Sequence, residues 1–188
     1  PRGRVRVNSN VPFGLHWLMP LVPGFLARYP EITLDIVTTD TVIDLIDERA
    51  DVAIRVGPMR ASPLVARKLG ESRMAVVASP DYLARNGVPT TLAELERHNR
   101  IAFNFTRLVA GWPFRDPSGA IVTVPPAGNV LVSDGEGARR LALAGAGLAR
   151  LSHFHIGPDL AAGRLVEVLA DLNPGDTETI HAVFVGQG

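Results

Sequence analysis

The sequence predicts an α/β fold, and three observations support that prediction. Residues 1–57 show strand and helix patterns in the order strand, helix, strand, helix, strand. The third strand is short and apolar, and it ends in one cation and a glycine, Arg55 and Gly57. Apolar residues make up 46% of the chain, which suits a folded core. Ligands of open α/β sheets bind beyond the carboxyl ends of the strands, so Arg55 and Gly57 mark a candidate ligand edge.

The first strand and the first helix follow from the spacing of apolar residues. Residues 4–7 alternate polar and apolar side chains, and the turn residues 8–10 follow them. Apolar residues then recur every three or four positions over 15–29, which predicts a helix. Pro20 and Pro23 each lack an amide donor and crowd the preceding turn. We therefore expect a kink or two abutting helical pieces rather than one straight helix.

Two further elements complete the N-terminal alternation. Residues 32–37 predict the second strand, and the polar residues 38–41 predict a loop and the cap of a second helix. The face of that helix is marked by Val42, Leu45, Ile46 and Arg49.

The rest of the chain contains helix caps, a hairpin and short strands. Ser79 and Pro80 predict a helix start, Gly87 predicts its end, and residues 91–94 fit a capping box. A turn is expected at 116–119, and a capped helix is expected to begin after 133–135 and to end at Gly145 and Gly147. A helical turn is expected after Gly157 and Pro158. Strands are expected at 101–105, 112–114, 120–124, 130–132, 148–151, 165–169 and 180–185.

Composition excludes several functional classes. The 19 basic residues balance 19 acidic ones, and no basic block is present, so nucleic acid is not an expected partner of this segment. The absence of cysteine removes disulfides and thiolate metal sites and fits a reducing compartment. No apolar run reaches membrane-spanning length, and the first residues lack the apolar core of a signal peptide. We expect a cytoplasmic protein with no membrane partner.

Several short motifs follow one another in a specific order along nearly the whole chain. They are residues 3–7, Phe13, Gly14, Pro20, Phe25, Tyr29 and Pro30, residues 51–55 and 78–83, Trp112, and residues 133–135, 144–147 and 163–166. In this order the motifs resemble the effector-binding domain of LysR-type transcriptional regulators, which has the type 2 periplasmic-binding-protein architecture.

The resemblance implies two Rossmann-like α/β lobes joined by two crossover strands near 73–78 and 179–185. Lobe I would comprise residues 1–77 plus 179–188, and lobe II residues 78–178, with a small-molecule effector in the cleft between them. The family's N-terminal winged helix-turn-helix DNA-binding domain is absent from this chain, and so is its usual final helix, so we expect an excised domain. A proline is common in the family where Ser152 stands.

The expected effector site combines helix starts, one cation and aromatic side chains. Helix starts present unpaired N–H groups and partial positive charge, which suit a carboxylate or phosphate, and Arg55 adds a fork of donors. The candidate effector-binding residues are Ser9, Asn10, Val11, Pro12, Phe13, Thr38, Thr39, Asp40, Arg55, Val56, Gly57, Phe103, Asn104, Phe105, Ser133, Asp134, Gly135, Ser152 and His153.

Structural alternatives stand beside these assignments. Arg55 could instead pair with Asp40 or Asp134 and only tie the lobes together, because structural ion pairs imitate sites. Ser9 and Ser133 have the alternative role of helix caps. The phenylalanines have the alternative role of core residues, and strand alternation would send Phe103 and Phe105 to one side and Asn104 to the other.

Catalysis and metal binding are not indicated. The five histidines are scattered, and although His153 and His155 could share one strand face, no third ligand is near them in sequence. No Gly-x-Ser-x-Gly elbow exists, and Gly145 and Gly147 follow a helix, the reverse of a nucleotide loop. We expect no enzyme activity, no cofactor and no metal site.

We therefore expect the effector-sensing domain of a LysR-type transcriptional regulator. Effector binding would change the angle between the lobes and, through a homodimer or tetramer, the spacing of DNA-binding domains outside this chain. In the dimer implied by the resemblance, the helix around 15–26 meets the helix around 139–143 of another subunit. A carboxylated, aromatic effector is a hypothesis from Arg55, the helix starts and the phenylalanines. The alternatives are a free solute-binding protein of a transporter and a small α/β enzyme.

Overall fold

The computed structural model describes residues 1–41, 49–59, 64–105 and 111–184. The chain divides into two compact units. Unit 1 consists of Pro1–Glu71 with Glu178–Gly188, and unit 2 consists of Ser72–Thr177. The lobe boundaries implied by the resemblance, 1–77 plus 179–188 and 78–178, lie a few residues away from these.

Unit 1 contains the predicted alternation of parallel strands. Strand β1 (Gly3–Ser9) lies between β2 (Ile32–Thr38) and β3 (Val52–Val56) and runs parallel to both. Strand β11 (Thr177–Phe184) pairs with β3 in the antiparallel direction. The carboxyl ends of β1, β2 and β3 therefore share one edge of this sheet, as the sequence predicts. The second predicted helix, at 42–49, lies almost wholly outside the described residues.

The first helix is divided, as the two prolines predict. It begins as α1 (Val11–Phe13), continues as a π-helical stretch at Gly14–Leu18 and a 3₁₀ turn at Met19–Leu21, and ends as α2 (Val22–Arg28). Pro20 lies in the 3₁₀ turn and Pro23 in the first turn of α2, where a missing donor disrupts the regular hydrogen bonding least.

Unit 2 is built around the second half of β4 (Val65–Ala78). Strands β9 (Ala149–Ser152) and β10 (Val166–Val168) flank this half, and both run antiparallel to it. Successive side chains of β4 enter two separate apolar clusters, Val76 and Ala78 on one face and Ala75 and Val77 on the other. This alternation follows from the two-residue period of a strand, and it places a core on each side of β4.

Helices and short strands cover both faces of β4. The first face is covered by α3 (Pro80–Asn86), α4 (Leu92–Leu95) and the hairpin of β6 (Trp112–Arg115) and β7 (Ile121–Val124). The second face is covered by α5 (Gly135–Leu143) and α6 (His153–Ala161), together with residues next to the parallel pair of β5 (Ala102–Phe103) and β8 (Leu131–Val132).

Several local predictions are confirmed and two are wrong in detail. Ser79 caps α3 by accepting the Tyr82 N–H, and Gly87 ends that helix with a positive φ of 83°. The strand predicted at 101–105 is shorter, covering Ala102–Phe103.

The second correction concerns His153 and His155, which the sequence would have allowed to share one strand face. His153 instead begins α6, and His155 lies in its first turns. The reason is the helical spacing of the buried residues, because His155, Ile156 and Asp159 fall on one helix face. Pro158 lies inside α6, whereas the sequence predicted only a helical turn after it.

Candidate functional site

Arg55 lies near the carboxyl end of β3 and is partly buried. Its Nη1 donates a hydrogen bond of 2.6 Å to Oδ1 of Asn8, on the neighbouring strand β1. Burial lowers the pKa of the guanidinium from its ordinary value, although an arginine remains charged throughout the physiological range. A cation is therefore held in a fixed orientation at the predicted ligand edge.

The carboxyl ends of β1 and β2 are joined by hydrogen bonds. Asn8 and Ser9 are 1% and 0% exposed. The Ser9 carbonyl accepts the Thr39 N–H at 2.9 Å, and the Ser9 hydroxyl donates to the Asn10 carbonyl at 3.0 Å. Ser9 thus fixes the course of the two loops, and its own hydroxyl is used within the protein.

The first helix start is occupied by the protein's own acceptors. The Asn10 side chain caps the helix by accepting the Phe13 N–H at 3.2 Å, and Asp40 accepts the Val11 N–H at 2.7 Å. Pro12 has no N–H to offer. The sequence had predicted unpaired amides here for an anion, but two of them already have partners. An anion in unit 1 would therefore rely on Arg55 rather than on this helix start.

A recess lies next to Arg55 at this edge of the sheet. It spans about 260 Å³, which includes space open to solvent. The Thr41 N–H bonds to the Thr39 hydroxyl at 3.2 Å and orders the loop that forms one wall. The lining residues are Asn10, Thr39, Asp40, Thr41, Ile54, Arg55 and Val56.

Five predicted site residues line the recess, and three more make defined contacts elsewhere in unit 1. The lining ones are Asn10, Thr39, Asp40, Arg55 and Val56. The methyl group of Thr38 lies 2.6 Å from where a Cβ on Gly14 would stand, so a side chain at position 14 would displace Thr38. Gly57 follows β3 with a φ of 96° and donates its N–H to the Thr179 carbonyl. Phe13 stacks on Trp17 with ring centroids 6.5 Å apart.

Three residues of this edge were not among the candidate site residues. Thr41 and Ile54 line the recess, and Asn8 orients Arg55. The available signal for Asn8 was its position: an amide at the end of a predicted alternating strand is a poor core residue unless it is hydrogen-bonded.

A second group of predicted residues comes together in unit 2, after the parallel strands β5 and β8. The Asn104 N–H donates to the Val132 carbonyl at 2.9 Å, which places residues 103–105 beside residues 133–135. The rings of Phe103 and Phe105 lie 5.2 Å apart, and Asn104 is exposed. The two phenylalanines are thus neighbours, as alternation predicted, even though the strand ends at Phe103.

The start of α5 is capped internally. Oδ1 of Asp134 accepts the Gly137 N–H at 2.7 Å, and the Ser133 hydroxyl donates to Oδ2 of Asp134 at 3.3 Å. The alternative that Ser133 and Ser9 are the caps is therefore wrong by one residue, because Asp134 caps α5 and Asn10 caps the first helix. A carboxylate already lies at this helix start, so the start is not a vacant anion site of the kind the sequence suggested.

Ser152 and His153 form the start of α6. Ser152 is 3% exposed, and within the described part of the chain its hydroxyl has no hydrogen-bond partner. The Phe154 N–H is capped by the Ser72 hydroxyl at 2.9 Å rather than by Ser152. His153 accepts a hydrogen bond from Arg73 at 3.1 Å. The sequence gave no signal for the contribution of Ser72 and Arg73, because they lie about 80 residues away.

Neither a metal-binding cluster nor a membrane-spanning helix occurs among the described residues. In the ranges 1–41, 49–59, 64–105 and 111–184, no three histidine or acidic side chains are grouped to hold a metal ion. Over those ranges, no helix is both long enough and apolar enough to cross a membrane.

Residues 1–184 match the family described as the LysR substrate binding domain. The chain belongs to this family. The resemblance inferred from the motif order is therefore confirmed, together with the mixed α/β fold of LysR regulatory domains, which have the type 2 periplasmic-binding-protein architecture.

Three comparisons illustrate the relationship. The HTH-type transcriptional regulator CrgA of Neisseria meningitidis serogroup C (strain 8013) is 38% identical over 184 residues, covering 98% of this chain and 61% of CrgA. The solved CrgA regulatory domain from Neisseria meningitidis has a TM-score of 0.89 at 36% identity, covering 99% of this chain and 90% of that domain. Full-length AphB, the Vibrio cholerae virulence activator, has a TM-score of 0.84 at 28% identity, covering 98% and 62%.

This LysR substrate-binding domain spans about three fifths of the length of the curated relatives it matches. Those relatives are described as transcriptional regulators and not as enzymes. The family description names substrate binding, in agreement with the prediction of a ligand-binding domain.

Proposed function

We propose that this LysR substrate-binding domain senses a small effector bearing a carboxylate, and that Arg55 binds that carboxylate. The observation that supports this most is the Arg55–Asn8 hydrogen bond, which holds a partly buried guanidinium at the sheet edge that forms the recess. Guanidinium matches carboxylate geometry with two parallel hydrogen bonds, and such charge-assisted bonds are stronger than neutral ones.

The recess is suited to bind the polar end of a ligand rather than the whole molecule. It is shallow and open to solvent on one side, so it does not enclose a whole small molecule. Threonine hydroxyls and the Asn10 amide give neutral hydrogen-bonding groups beside Arg55, and Ile54 and Val56 give apolar contact. Asp40 lies in the same recess and disfavours a second negative charge. A monocarboxylate is therefore preferred to a dianion.

The remaining predicted residues extend the proposal. Phe103 and Phe105 provide an aromatic surface in unit 2, and the buried Ser152 hydroxyl offers an unused donor. That these residues contact the same ligand, in a cleft between the two lobes, stays a prediction from the resemblance. An aromatic carboxylate would contact Arg55 through its carboxylate and the two phenylalanines through its ring.

Effector binding would act on transcription through the rest of the regulator. We propose a cytoplasmic homodimer or tetramer whose DNA contacts are made by an N-terminal domain outside this chain, since the relatives are described as HTH-type regulators. A ligand that binds one arrangement of the lobes more tightly shifts the population toward it and changes the spacing of the DNA-binding domains.

The dimer proposal has its own support on the first helix. Large apolar side chains there are exposed in the single chain, which is unusual for a surface that meets only water. They are Leu15, Trp17, Met19, Leu21 and Phe25, with exposed fractions of 38%, 51%, 38%, 68% and 37%. The resemblance implies that this segment meets α5 of another subunit.

Isothermal titration calorimetry tests the effector proposal. The probes are benzoate, salicylate and hydroxybenzoates, with the matching amides as neutral controls. We expect binding of at least one acid and no binding of its amide. Arg55→Ala should abolish that binding, and Arg55→Lys should weaken it because the ammonium lacks the two-point fork. Arg4→Ala, which removes an exposed arginine of the same sheet, should leave it unchanged. Equal affinity of Arg55→Ala and the unmodified domain would overturn the proposal.

A further inference from the structure

A charged cluster lies at the start of α6, outside the recess. Nη2 of Arg73, on β4, lies 3.1 Å from Nε2 of His153 and donates to Oε2 of Glu167 at 2.7 Å. His153 is the first residue of α6, and Glu167 is on β10. The Arg73 and Glu167 side chains are 42% and 19% exposed. Protons can therefore reach the cluster, while burial still strengthens its interactions.

The contact with Arg73 defines the protonation state of His153. A guanidinium can only donate, so Nε2 of the imidazole must accept and the ring must be neutral, with its proton on Nδ1. Protonation would place an N–H on Nε2 facing the guanidinium. Two donors and two positive charges would then face each other, so this contact exists only with a neutral imidazole.

Glu167 offers a second partner in the same cluster. Its Oε2 is engaged by Arg73, whereas Oε1 is buried and has no hydrogen-bond partner among the described residues. A buried carboxylate oxygen without a donor is costly, and a protonated imidazole supplies a charged donor. The neutral ring thus accepts a hydrogen bond from Arg73, whereas Oε1 of Glu167 is an acceptor for the protonated ring.

We propose that Arg73, His153 and Glu167 form a two-state pH switch at the start of α6. In the first state the neutral His153 accepts from Arg73. In the second state His153 has taken one proton from solvent, has left Arg73, and donates from Nε2 to Oε1 of Glu167. The net charge of the three side chains rises from zero to one.

The surrounding charges set the direction of the transition. Burial first, and then the Arg73 charge, lower the pKa of His153, while the Glu167 charge raises it. The partial positive charge of the α6 start also opposes protonation. Two further charged groups on elements packed here are already paired: Arg150 of β9 with Asp176, and Asp159 of α6 with Arg139. His155 is the other imidazole on α6. The transition therefore falls below the ordinary histidine value of 6.5.

The switch is connected to the backbone of α6. Ser72, which precedes Arg73, caps the Phe154 N–H, so a displacement of Arg73 acts on the first turn of the helix. Ser72 is also the first residue of unit 2, where β4 enters it. The second state would therefore change the geometry around Ser152 and His153.

Nuclear magnetic resonance of the unliganded domain tests the switch, so the result is independent of the effector proposal. The His153 ring nitrogens, the Arg73 side-chain Nε–H and the Phe154 amide are followed from about pH 8 to pH 5. We expect one shared midpoint below 6.5, with the proton on Nδ1 at the high-pH end. Arg73 and Phe154 signals that do not change through the His153 titration would overturn the proposal.

Variants separate the two partners. Arg73→Gln should shift the His153 midpoint upward, because a cation is lost, and Glu167→Gln should shift it downward. His16→Gln, which removes an imidazole from unit 1, should leave the midpoint unchanged. A downward shift or no shift in Arg73→Gln would contradict the switch. If a variant fails to fold, the titration of the His153, Arg73 and Phe154 signals in the unmodified domain still tests the switch.

Discussion

Asn8 and Arg55 are joined by a hydrogen bond of 2.6 Å between neighbouring parallel strands. Asn8 lies opposite Ala53 in the register of β1 and β3, so Arg55 reaches back across the pair to meet it. Asn8 is 1% exposed and cannot exchange this bond for water without opening the sheet. The amide is therefore a positioning residue for the guanidinium.

Replacement of Asn8 tests this positioning role. Asn8→Ala should lower the affinity for any carboxylate that calorimetry identifies, and it should destabilise the domain by about 1–3 kcal/mol because a buried donor loses its partner. Asn8→Asp keeps an acceptor for Arg55 and should orient it better than alanine does. Titrations and denaturant unfolding of both variants provide the comparison. Identical affinities of Asn8→Ala and the unmodified domain would show that the bond is not needed.

Gly147 is predicted to tolerate no side chain. A Cβ there would lie 2.4 Å from the carbonyl oxygen of Asn99, a backbone atom that cannot move aside. Gly147→Ala should therefore cost roughly 1–3 kcal/mol of stability. Gly157→Ala is the matched control, because among the described residues no atom beyond its chain neighbours and the backbone of its own helix lies within 4 Å of its Cβ position, and alanine favours a helix. Denaturant unfolding should show opposite signs for the two variants, and equal stabilities would refute the packing argument.

Asp159 should be the most sensitive carboxylate of unit 2. It is fully buried and accepts from Arg139 at 2.6 Å and from Arg164 at 2.8 Å. Asp159→Asn should destabilise the domain by about 2–3 kcal/mol, because removing one member of a buried pair leaves the other without compensation, and partial exposure of Arg164 reduces the effect. Arg140→Gln, at a side chain that is 75% exposed, should cost less than about 1 kcal/mol.

The same carboxylate determines part of the acid sensitivity. Burial alone would raise the pKa of Asp159, but the bonds and charges of Arg139 and Arg164 outweigh it and hold the pKa below 3.8. Its stabilising contribution is therefore complete above pH 3.8 and is lost as pH falls through the lower folded value. The free energy of unfolding of Asp159→Asn should depend less on pH in this acidic range than that of the unmodified domain. An equal dependence in both proteins would contradict the assignment.

His98 should make stability depend on pH in a higher window. Its Nδ1 lies 3.0 Å from the Tyr82 hydroxyl, and burial chiefly lowers its pKa, with Arg100 adding to the effect and Glu94 opposing it. The unfolded chain then binds a proton that the folded chain does not, so stability falls as pH drops below 6.5. Thermal unfolding of His98→Gln should show a flatter dependence there. A slope equal to that of the unmodified domain would remove His98 as a cause.

Local signals in the sequence were sufficient for most of the framework. Hydrophobic spacing predicted β1, β2 and β3, the two prolines predicted the divided first helix, and Ser79 with Gly87 predicted both ends of α3. These features depend on residues a few positions apart. The shared strand face considered for His153 and His155 does not occur, because both residues lie in α6. Strand and helix patterns are hard to separate over short apolar runs, and the buried face of this helix extends to Asp159.

The candidate site was less predictable because its contacts are long-range. The sequence identified Arg55 and the loop ends. It did not identify the hydrogen bond of Arg55 to Asn8, 47 residues away, or the hydrogen bond from the Val11 N–H to Asp40, 29 residues away. It also predicted helix starts as open anion sites, whereas Asp40 and Asp134 already accept hydrogen bonds there. Capping side chains and ligand-binding side chains have the same chemistry, so only the fold distinguishes them.

Direct observation of Arg55 during ligand addition tests the central proposal most sharply. Nuclear magnetic resonance can follow the Nε–H of Arg55 and the amides of Thr39, Thr41 and Val56 while an aromatic carboxylate is added. The proposal predicts saturable shifts of the Arg55 signal and of these lining amides with one common dissociation constant, and no shifts with the matching amide ligand. Saturable shifts confined to other residues, with the Arg55 signal unmoved, would contradict it.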